Sequence, residues 1–356
     1  MVAIHLAERG WPVRLIERRS AVLGGATQHA NRLHLGFHYP RDETTARQCV
    51  AGYERFRSAF AGAILPGGGN AYCIASKGSL TSPEQFLAFC DRLGLGYREV
   101  APAALRHGIR GVDLAVLTDE VMFDPDILRR LIADRLARSG AAVSLGADIQ
   151  SVERSGDGGF VLRFDGGEHR FDGLVNCTYA NVNRIGSWLG HGTETHQYEY
   201  TASPVIAFDD GDASSLTIMD GPFFGLLPLN AAGDTLLFHV DLSVIAREDR
   251  SKVDPAWLDP ETAPFAAVDR DAWSRSVIEA ASAFAPDIGK ARIKGFREGP
   301  RMVLANVDDT DTRPSIVSRP EPGYVEVFSG KVVHAMWVGD EVERLLDGGA
   351  PVAGAA

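Results

Sequence analysis

The pattern of apolar and polar positions at the start of the chain predicts a helix followed by a strand. The apolar positions among residues 2–7 would form one buried helix face, and Gly10 would end the helix. Residues 13–16 then form a short apolar strand that ends at an acid, Glu17. This order is typical of the second half of a βαβ unit, whose first half would be a strand and a glycine-rich turn.

The rest of the chain alternates between helix and strand signals. The clearest amphipathic helix spans residues 124–140, with Asp124 as the N-cap, Pro125 at the first helical position and Gly140 beyond the end. Other predicted helices span residues 43–60, 83–93, 270–284 and 332–346. Predicted strands include a pair within 141–155, a hairpin that turns at 165–167, and segments 173–177, 204–208, 216–219, 235–239, 294–304 and 323–331.

These elements predict an α/β protein of two domains. One is a Rossmann-like cofactor-binding domain with its first strand missing, and the other is an inserted substrate domain built on an antiparallel or mixed sheet. The cofactor-binding domain would comprise residues 1–75, 123–190 and 296–350, the substrate domain 76–122 and 191–295, and a frayed tail 351–356.

Composition narrows the classes of partner. The net charge of −11 and the absence of a basic run argue against nucleic acid and anionic membranes. No apolar run reaches the length of about 20 residues that a transmembrane helix needs, and the N-terminus lacks a secretion signal. The four cysteines form no CxxC pair, which is typical of reduced thiols in a cytoplasmic protein.

Glu17 is the first candidate for chemistry. An acid at the end of the second strand of a βαβ unit typically binds the ribose hydroxyls of a dinucleotide, and Arg18 stands beside it. The alternative is a surface acid at the start of a loop.

A glycine-rich loop with several polar residues follows, LGGATQHANRLHLGFHYPR. Gly24 and Gly25 would let the backbone approach a ligand closely. His34 and His38 are imidazoles set among apolar residues, and they lack a third ligand at a spacing that suits a metal.

The order of helix, strand, acid and GGAT…N..LH.G.HY resembles the D-amino-acid oxidase superfamily of FAD-dependent oxidoreductases, and is most similar to its L-2-hydroxyglutarate oxidase branch. Later segments continue the resemblance. In ADIQSVER the backbone near Ile149 would meet the adenine, LVNCTYAN carries Thr178, and Tyr179 stands where many members have glycine. The resemblance implies that FAD is held by Glu17, Arg18, Gly24, Gly25, Ala26, Thr27, Asn31, Ile149, Thr178, Ser329, Gly330 and Lys331.

The resemblance also implies a reaction: hydride transfer from a small 2-hydroxy acid, amine or amino acid to the flavin. His38 or His34 would serve as the base, unless both only pack or hydrogen-bond to the cofactor. Arg313 would bind a substrate carboxylate, and Lys331 would lie beside the flavin ring; each could also be an ordinary surface cation. The electron acceptor (oxygen, a quinone or another protein) stays open.

In the superfamily a strand and a GxGxxG turn precede the helix with which this chain begins. The resemblance therefore places Met1 directly after the third glycine, and we expect an upstream strand and turn in the full protein. Two alternatives remain: an inactive, truncated remnant or flavin-free binding protein, and an NAD(P)-linked enzyme. The latter does not explain the loop at 24–39 or the turn at Gly330.

Overall fold

The computed structural model describes residues 1–25, 28–67, 69–211, 214–307 and 309–349. Its helices follow the predicted order closely. They are α1 (Val2–Glu8), α2 (Glu43–Ala59), α3 (Pro83–Leu93), α4 (Pro125–Arg138), α5 (Val182–Trp188), α6 (Arg270–Ser282) and α7 (Ala335–Leu346).

The strands are β1 (Arg14–Glu17), β2 (Arg32–Leu33), β3 (Ala71–Ala75), β4 (Tyr97–Glu99), β5 (Val112–Thr118), β6 (Val121–Met122), β7 (Ala142–Leu145), β8 (Ser151–Arg154), β9 (Phe160–Phe164), β10 (Gly167–Phe171), β11 (Leu174–Asn176), β12 (His196–Ala207), β13 (Leu216–Met219), β14 (Phe224–Pro228), β15 (Thr235–His239), β16 (Val244–Arg250), β17 (Arg292–Leu304), β18 (Ile316–Glu321) and β19 (Tyr324–Phe328). Together with the helices they confirm the predicted mixed α/β class.

Local sequence signals explain several of these boundaries. The Asp124 carboxylate accepts the amide N–H groups of Asp126 and Ile127, which caps α4 as expected. The predicted hairpin turns at Asp165 and Gly166, both with a positive φ, as an Asp-Gly turn between two strands requires. β8 begins two residues after Ile149, so Ile149 lies in the preceding loop rather than in the predicted strand.

The Rossmann-like part of the fold contains two separate parallel pairings. β1 pairs with β7, whereas β11 pairs with β19 in a second sheet that ends at β18. Ile16 and Leu174 contribute to one apolar cluster, and Val13 and Val175 to another. β1 and β11 therefore share apolar cores, yet no strand in the described ranges hydrogen-bonds to both.

A larger mixed sheet forms the other half of the molecule. Its strand order is β16-β12-β15-β14-β13-β3-β5-β4, and β17 pairs along the whole length of β12. α6 packs on this sheet through Val277 and Ala281, which join a buried cluster with Leu226 and Leu237. The predicted domain boundaries assign β3 and much of β17 to the cofactor-binding domain, but both pair within this sheet. The division into two domains itself stays a prediction.

The loop after β1 joins the two halves. Its short strand β2 pairs with β6, and the aromatic side chains of Phe37 and Tyr39 enter a core with Tyr53 and Phe56 of α2. The segment that carries the sequence-predicted histidines is therefore fixed between α2 and the large sheet. Within the described ranges, no helix has the length and apolarity that crossing a membrane requires.

Gly52 of α2 allows a close helix contact. A Cβ at this position would lie 2.3 Å from the carbonyl oxygen of Val333, in the turn that leads into α7. We expect Gly52→Ala to lower the free energy of unfolding by about 1–2 kcal/mol, because the steric cost exceeds the gain in helix propensity of about 1 kcal/mol.

Urea unfolding measures this change, and Gly62→Ala is a matched control. The nearest atom to a Cβ at Gly62 is the Leu131 Cδ1 at 3.7 Å, so this variant should be close to wild type. A Gly52→Ala protein that is more stable than wild type would contradict the close contact.

Candidate active site

The acid at the end of β1 caps its own turn. The Glu17 carboxylate accepts the Arg19 amide N–H at 2.8 Å, and the Arg19 guanidinium donates to the Gly24 carbonyl at 3.1 Å. Arg18 is half-buried, and burial lowers its pKa. Gly25 has open space where a Cβ would point. These hydrogen bonds hold Glu17, at the end of β1, close to the loop that carries the two glycines.

The remaining cofactor residues predicted in the loop have different positions. Ala26 and Thr27 lie outside the described residues. The Asn31 amide group donates to the carbonyl oxygens of Phe123 and Pro228 at 2.6 and 2.5 Å, which anchors the loop to the large sheet. Its Oδ1 is buried and has no partner among the described residues. This oxygen is therefore the side-chain atom of Asn31 that could accept a hydrogen bond from a ligand.

Three rings form the centre of the candidate site. The ring centroids of His34, His38 and Tyr39 lie 5.4–5.5 Å apart. The His34 Nδ1 and the Tyr39 hydroxyl are buried, and neither has a hydrogen-bond partner within the described part of the chain. Burial, reinforced by the cations around them, lowers the pKa of both histidines well below the ordinary value. Unpartnered buried polar atoms in such a group indicate a ligand site.

Lys331 borders this centre. Its ammonium lies 4.9 Å from the centroid of the Tyr39 ring. Burial lowers the pKa of Lys331 to about 8; Arg313 and Arg301 also lower it, and Asp311 opposes them. No carboxylate of the described residues forms an ion pair with this ammonium. Within the described ranges, the Lys331 ammonium is therefore a cation of this site without an anionic partner.

The turn that carries Lys331 is held from behind by a buried chain of hydrogen bonds. The Gly330 amide donates to the Ser315 hydroxyl at 2.9 Å, which is 2.9 Å from the Nδ1 of His334. The Nε2 of His334 lies 3.3 Å from the Cys49 sulfur. A Cβ at Gly330 would lie 1.9 Å from the Arg313 carbonyl oxygen, so this close turn requires glycine.

Arg313 lies next to the site with its charge partly compensated. Its guanidinium is 2.6 Å from the Asp311 carboxylate, and its amide donates to the Thr45 hydroxyl at 2.8 Å. Its positive charge helps to lower the pKa of His38 and of Lys331. The structure thus brings Arg313, His34, His38 and Lys331 together.

Three further residues that the sequence assigned to the cofactor lie outside the ring cluster and bind other parts of the chain or follow a strand. The Thr178 hydroxyl donates to the Asn176 side chain at 2.7 Å, and the Ile149 carbonyl accepts from the Arg184 guanidinium at 3.0 Å. Ser329 is partly buried and directly follows β19. Their roles towards a cofactor stay predictions.

The sequence analysis missed a buried ion pair beside the histidines. Arg32 is 4% exposed and Glu120 is fully buried, and Nε of the arginine lies 3.5 Å from Oε1 of the acid. Tyr72 and Thr217 complete this polar group. The available signal was weak: a charged residue directly precedes Leu33 in the two-residue β2, where burial without a partner would be costly.

Tyr179, which stands where many superfamily members have glycine, also makes a contact that the sequence did not indicate. The residue has a φ of 52°, the left-handed region that favours glycine. Its hydroxyl accepts the Met302 amide at 3.1 Å and lies 3.4 Å from the Met302 carbonyl, on the outer edge of β17. Tyr179 thereby links the segment after β11 to the large sheet.

The donor set suits an organic cofactor rather than a metal. No group of three His, Cys, Asp or Glu residues in the described ranges has a geometry that could hold a metal ion. The unpartnered atoms of Asn31, His34 and Tyr39 fit a polar ring system that accepts and donates hydrogen bonds. A redox cofactor with such a ring defines an oxidoreductase.

The chain belongs to the DAO family of FAD-dependent oxidoreductases, whose family model matches residues 1–340. FAD is the cofactor of this family. A curated relative, the FAD-dependent monooxygenase FPY4 of Fusarium mangiferae, is 26% identical over 267 residues, which are 74% of this chain and 69% of the relative.

Solved structures share the fold at low sequence identity. Glycine oxidase from Geobacillus kaustophilus is 14% identical with a TM-score of 0.72, over 99% of this chain and 92% of that chain. L-amino acid deaminase from Proteus vulgaris (15%, TM-score 0.74) and L-proline dehydrogenase from P. horikoshii (16%, TM-score 0.73) each match over 99% of this chain and 91% of their own. The predicted FAD enzyme class is confirmed.

Because His334 is buried, the stability of the folded protein should fall at acid pH. Burial lowers the pKa of His334 to about 3, whereas the unfolded chain takes up this proton near 6.5. Since the folded state stays neutral, stability falls as the pH drops below 6.5. We expect this residue to contribute a loss of about 2 kcal/mol between pH 7 and pH 5.

Urea unfolding of wild type and His334→Asn at the two pH values tests this expectation. The asparagine variant should be less stable at pH 7 but should lose about 2 kcal/mol less than wild type on acidification. Equal losses of stability in the two proteins would show that folded His334 takes up its proton as readily as the unfolded chain does, and would contradict the lowered pKa.

Proposed function

We propose that this protein is an FAD-dependent oxidoreductase that removes a hydride from a small carboxylate-bearing substrate, either an amine or amino acid or a 2-hydroxy acid. The observation that carries the proposal is the Lys331 ammonium, which lies against Tyr39 without an anionic partner among the described residues. A substrate carboxylate would supply the missing negative charge. When bound, FAD supplies the hydride acceptor.

The residues of the chain would then have distinct tasks. Lys331 would bind the substrate carboxylate, and Arg313 would reinforce the positive potential around it. The unpartnered His34 Nδ1 and Tyr39 hydroxyl would hydrogen-bond to the cofactor or the substrate. Apolar walls from Phe37 and its core neighbours would exclude water from the centre.

Two observations on other proteins support the amine version of the proposal. The similar structures named above include an oxidase of glycine and a dehydrogenase of L-proline. The hydroxy-acid version is supported by the loop sequence LHLGFHY, which resembles the L-2-hydroxyglutarate oxidase branch. The expected upstream strand, the electron acceptor and the cytoplasmic location stay predictions.

Purification of the chain and measurement of its visible absorbance test the cofactor. We expect flavin absorbance to be retained, or to appear and shift when FAD is added, because the unpartnered atoms at the centre need a partner. Protein that stays colourless after addition of FAD and gel filtration would contradict flavin binding by this chain.

Binding of benzoate to the flavin-loaded protein tests the anion site. We expect Lys331→Met to raise the Kd of benzoate about 10-fold to 100-fold, which corresponds to a lost charge-assisted hydrogen bond. In wild type the affinity should fall as the pH rises through about 8, because the neutral amine no longer attracts a carboxylate. Lys331→Arg should remove this pH dependence, since arginine stays protonated.

Benzamide is the matched uncharged ligand. It should bind to wild type and Lys331→Met with similar Kd values, and its binding should not change near pH 8. If benzoate loses no more affinity than benzamide in the Lys331→Met protein, Lys331 does not bind the carboxylate.

A further inference from the structure

A buried arginine sets the hydrogen-bonding state of His38. The Nη1 of Arg32 lies 3.4 Å from the Nδ1 of His38. A guanidinium only donates hydrogen bonds, so the ring nitrogen that faces it must accept. In a neutral imidazole the proton then resides on the other nitrogen, Nε2.

Arg32 is itself held in place on several sides. Its Nη1 also donates to the Tyr72 hydroxyl at 3.2 Å, and its Nη2 donates to the Thr217 hydroxyl. The guanidinium lies over the Tyr72 ring at 5.4 Å. With 4% exposure, the side chain is shielded from solvent.

Glu120 binds both a residue that holds Arg32 and the backbone of the histidine loop. The Tyr72 hydroxyl donates to its Oε1 at 2.5 Å, and the Leu35 amide donates to its Oε2 at 2.7 Å. Leu35 lies between the two histidines in sequence, so Glu120 fixes both the arginine and the backbone that carries His38. Its charge also offsets that of Arg32, which lowers the cost of burying both.

The surroundings of His38 keep it neutral. Burial is the largest cause that lowers the pKa of His38, and the charged groups that act on it most strongly are cations, which lower it further. The groups concerned are Arg32, Lys331, Arg313 and Arg41, with His34, Tyr39 and Tyr72 as the neighbouring rings. The His38 Nε2 hydrogen-bonds to no described residue, which leaves its N–H for a ligand.

We propose that Arg32, supported by Glu120, is a positioning residue that holds His38 in the Nε2–H form, so that His38 donates a hydrogen bond to the ligand and does not act as a base. The ligand atom that binds to the His38 Nε2–H is a hydrogen-bond acceptor, either a substrate carboxylate oxygen or a carbonyl-type atom of the cofactor. This inference rests on the proposed function only for the identity of that acceptor. Of the two roles that the sequence left open for His38, it favours hydrogen bonding over acceptance of the substrate proton.

Nitrogen NMR of the full chain, labelled with ¹⁵N-histidine, tests the proposal without substrate turnover. The His38 signals are assigned by their loss in His38→Gln. We expect an unprotonated Nδ1 and a protonated Nε2 throughout pH 6 to 9. A protonated Nδ1, averaged signals from two tautomers, or titration of His38 within this range would overturn the proposal.

Two variants separate the role of Arg32 from general folding effects. Thr217→Val removes one acceptor that holds Arg32, and we expect the two His38 nitrogen signals to move towards each other as the second tautomer gains population. Thr235→Val replaces an equally buried threonine on β15 of the same sheet and should leave the His38 signals unchanged. Identical spectra of Thr217→Val and Thr235→Val would contradict control by Arg32.

Flavin reduction by substrate in the loaded protein distinguishes a donor from a base. The amide of His38→Gln can accept from Arg32 and donate to a ligand, whereas His38→Leu can do neither. We expect the rate of flavin reduction to stay within about 10-fold of wild type in the glutamine variant and to fall about 100-fold in the leucine variant, as for loss of a positioned hydrogen-bond donor. Equal losses in both variants would overturn the donor role. The NMR experiment needs neither flavin nor substrate. Its result can therefore support the proposed role of Arg32 even if the proposed enzymatic function is wrong.

Discussion

The buried ion pair of Arg32 and Glu120 is the interaction on which the site depends. It joins β2 of the loop to the segment between β5 and β6, and through Tyr72 and Thr217 it reaches two further strands of the large sheet. Removal of one partner would leave a buried charge, which costs several kcal/mol. The pair therefore holds the loop after β1 and the large sheet in one fixed relation, and the ring cluster of His34, His38 and Tyr39 depends on it.

Much of the fold could be predicted because its signals are local. The cap at Asp124 and the turn at Asp165 depend on residues within a few positions of each other, and both occur as expected. Strand partners were harder to predict. β3 and β17 join the large sheet through pairing with strands that are distant in sequence, and no local pattern specifies such partners.

In the candidate site, too, some residues could be predicted from the sequence, and others depend on contacts between distant parts of the chain. His34, His38, Arg313 and Lys331 were recognisable from their place in the family pattern, and the structure brings them together. Arg32 and Glu120 were not, because their importance lies in mutual burial across 88 positions of sequence. The direction in which we propose that His38 donates rests on its atomic contacts, whereas the motif that contains it left a base and a hydrogen-bonding role open.

The left-handed backbone at Tyr179 restricts which residues can occupy this position. Its backbone conformation costs a side chain about 1 kcal/mol or more, and its hydroxyl offsets this by binding the otherwise open edge of β17 at Met302. Phenylalanine would keep the strain and lose the hydrogen bonds. The position therefore suits glycine, which avoids the strain, and tyrosine, whose hydroxyl compensates for it, better than phenylalanine.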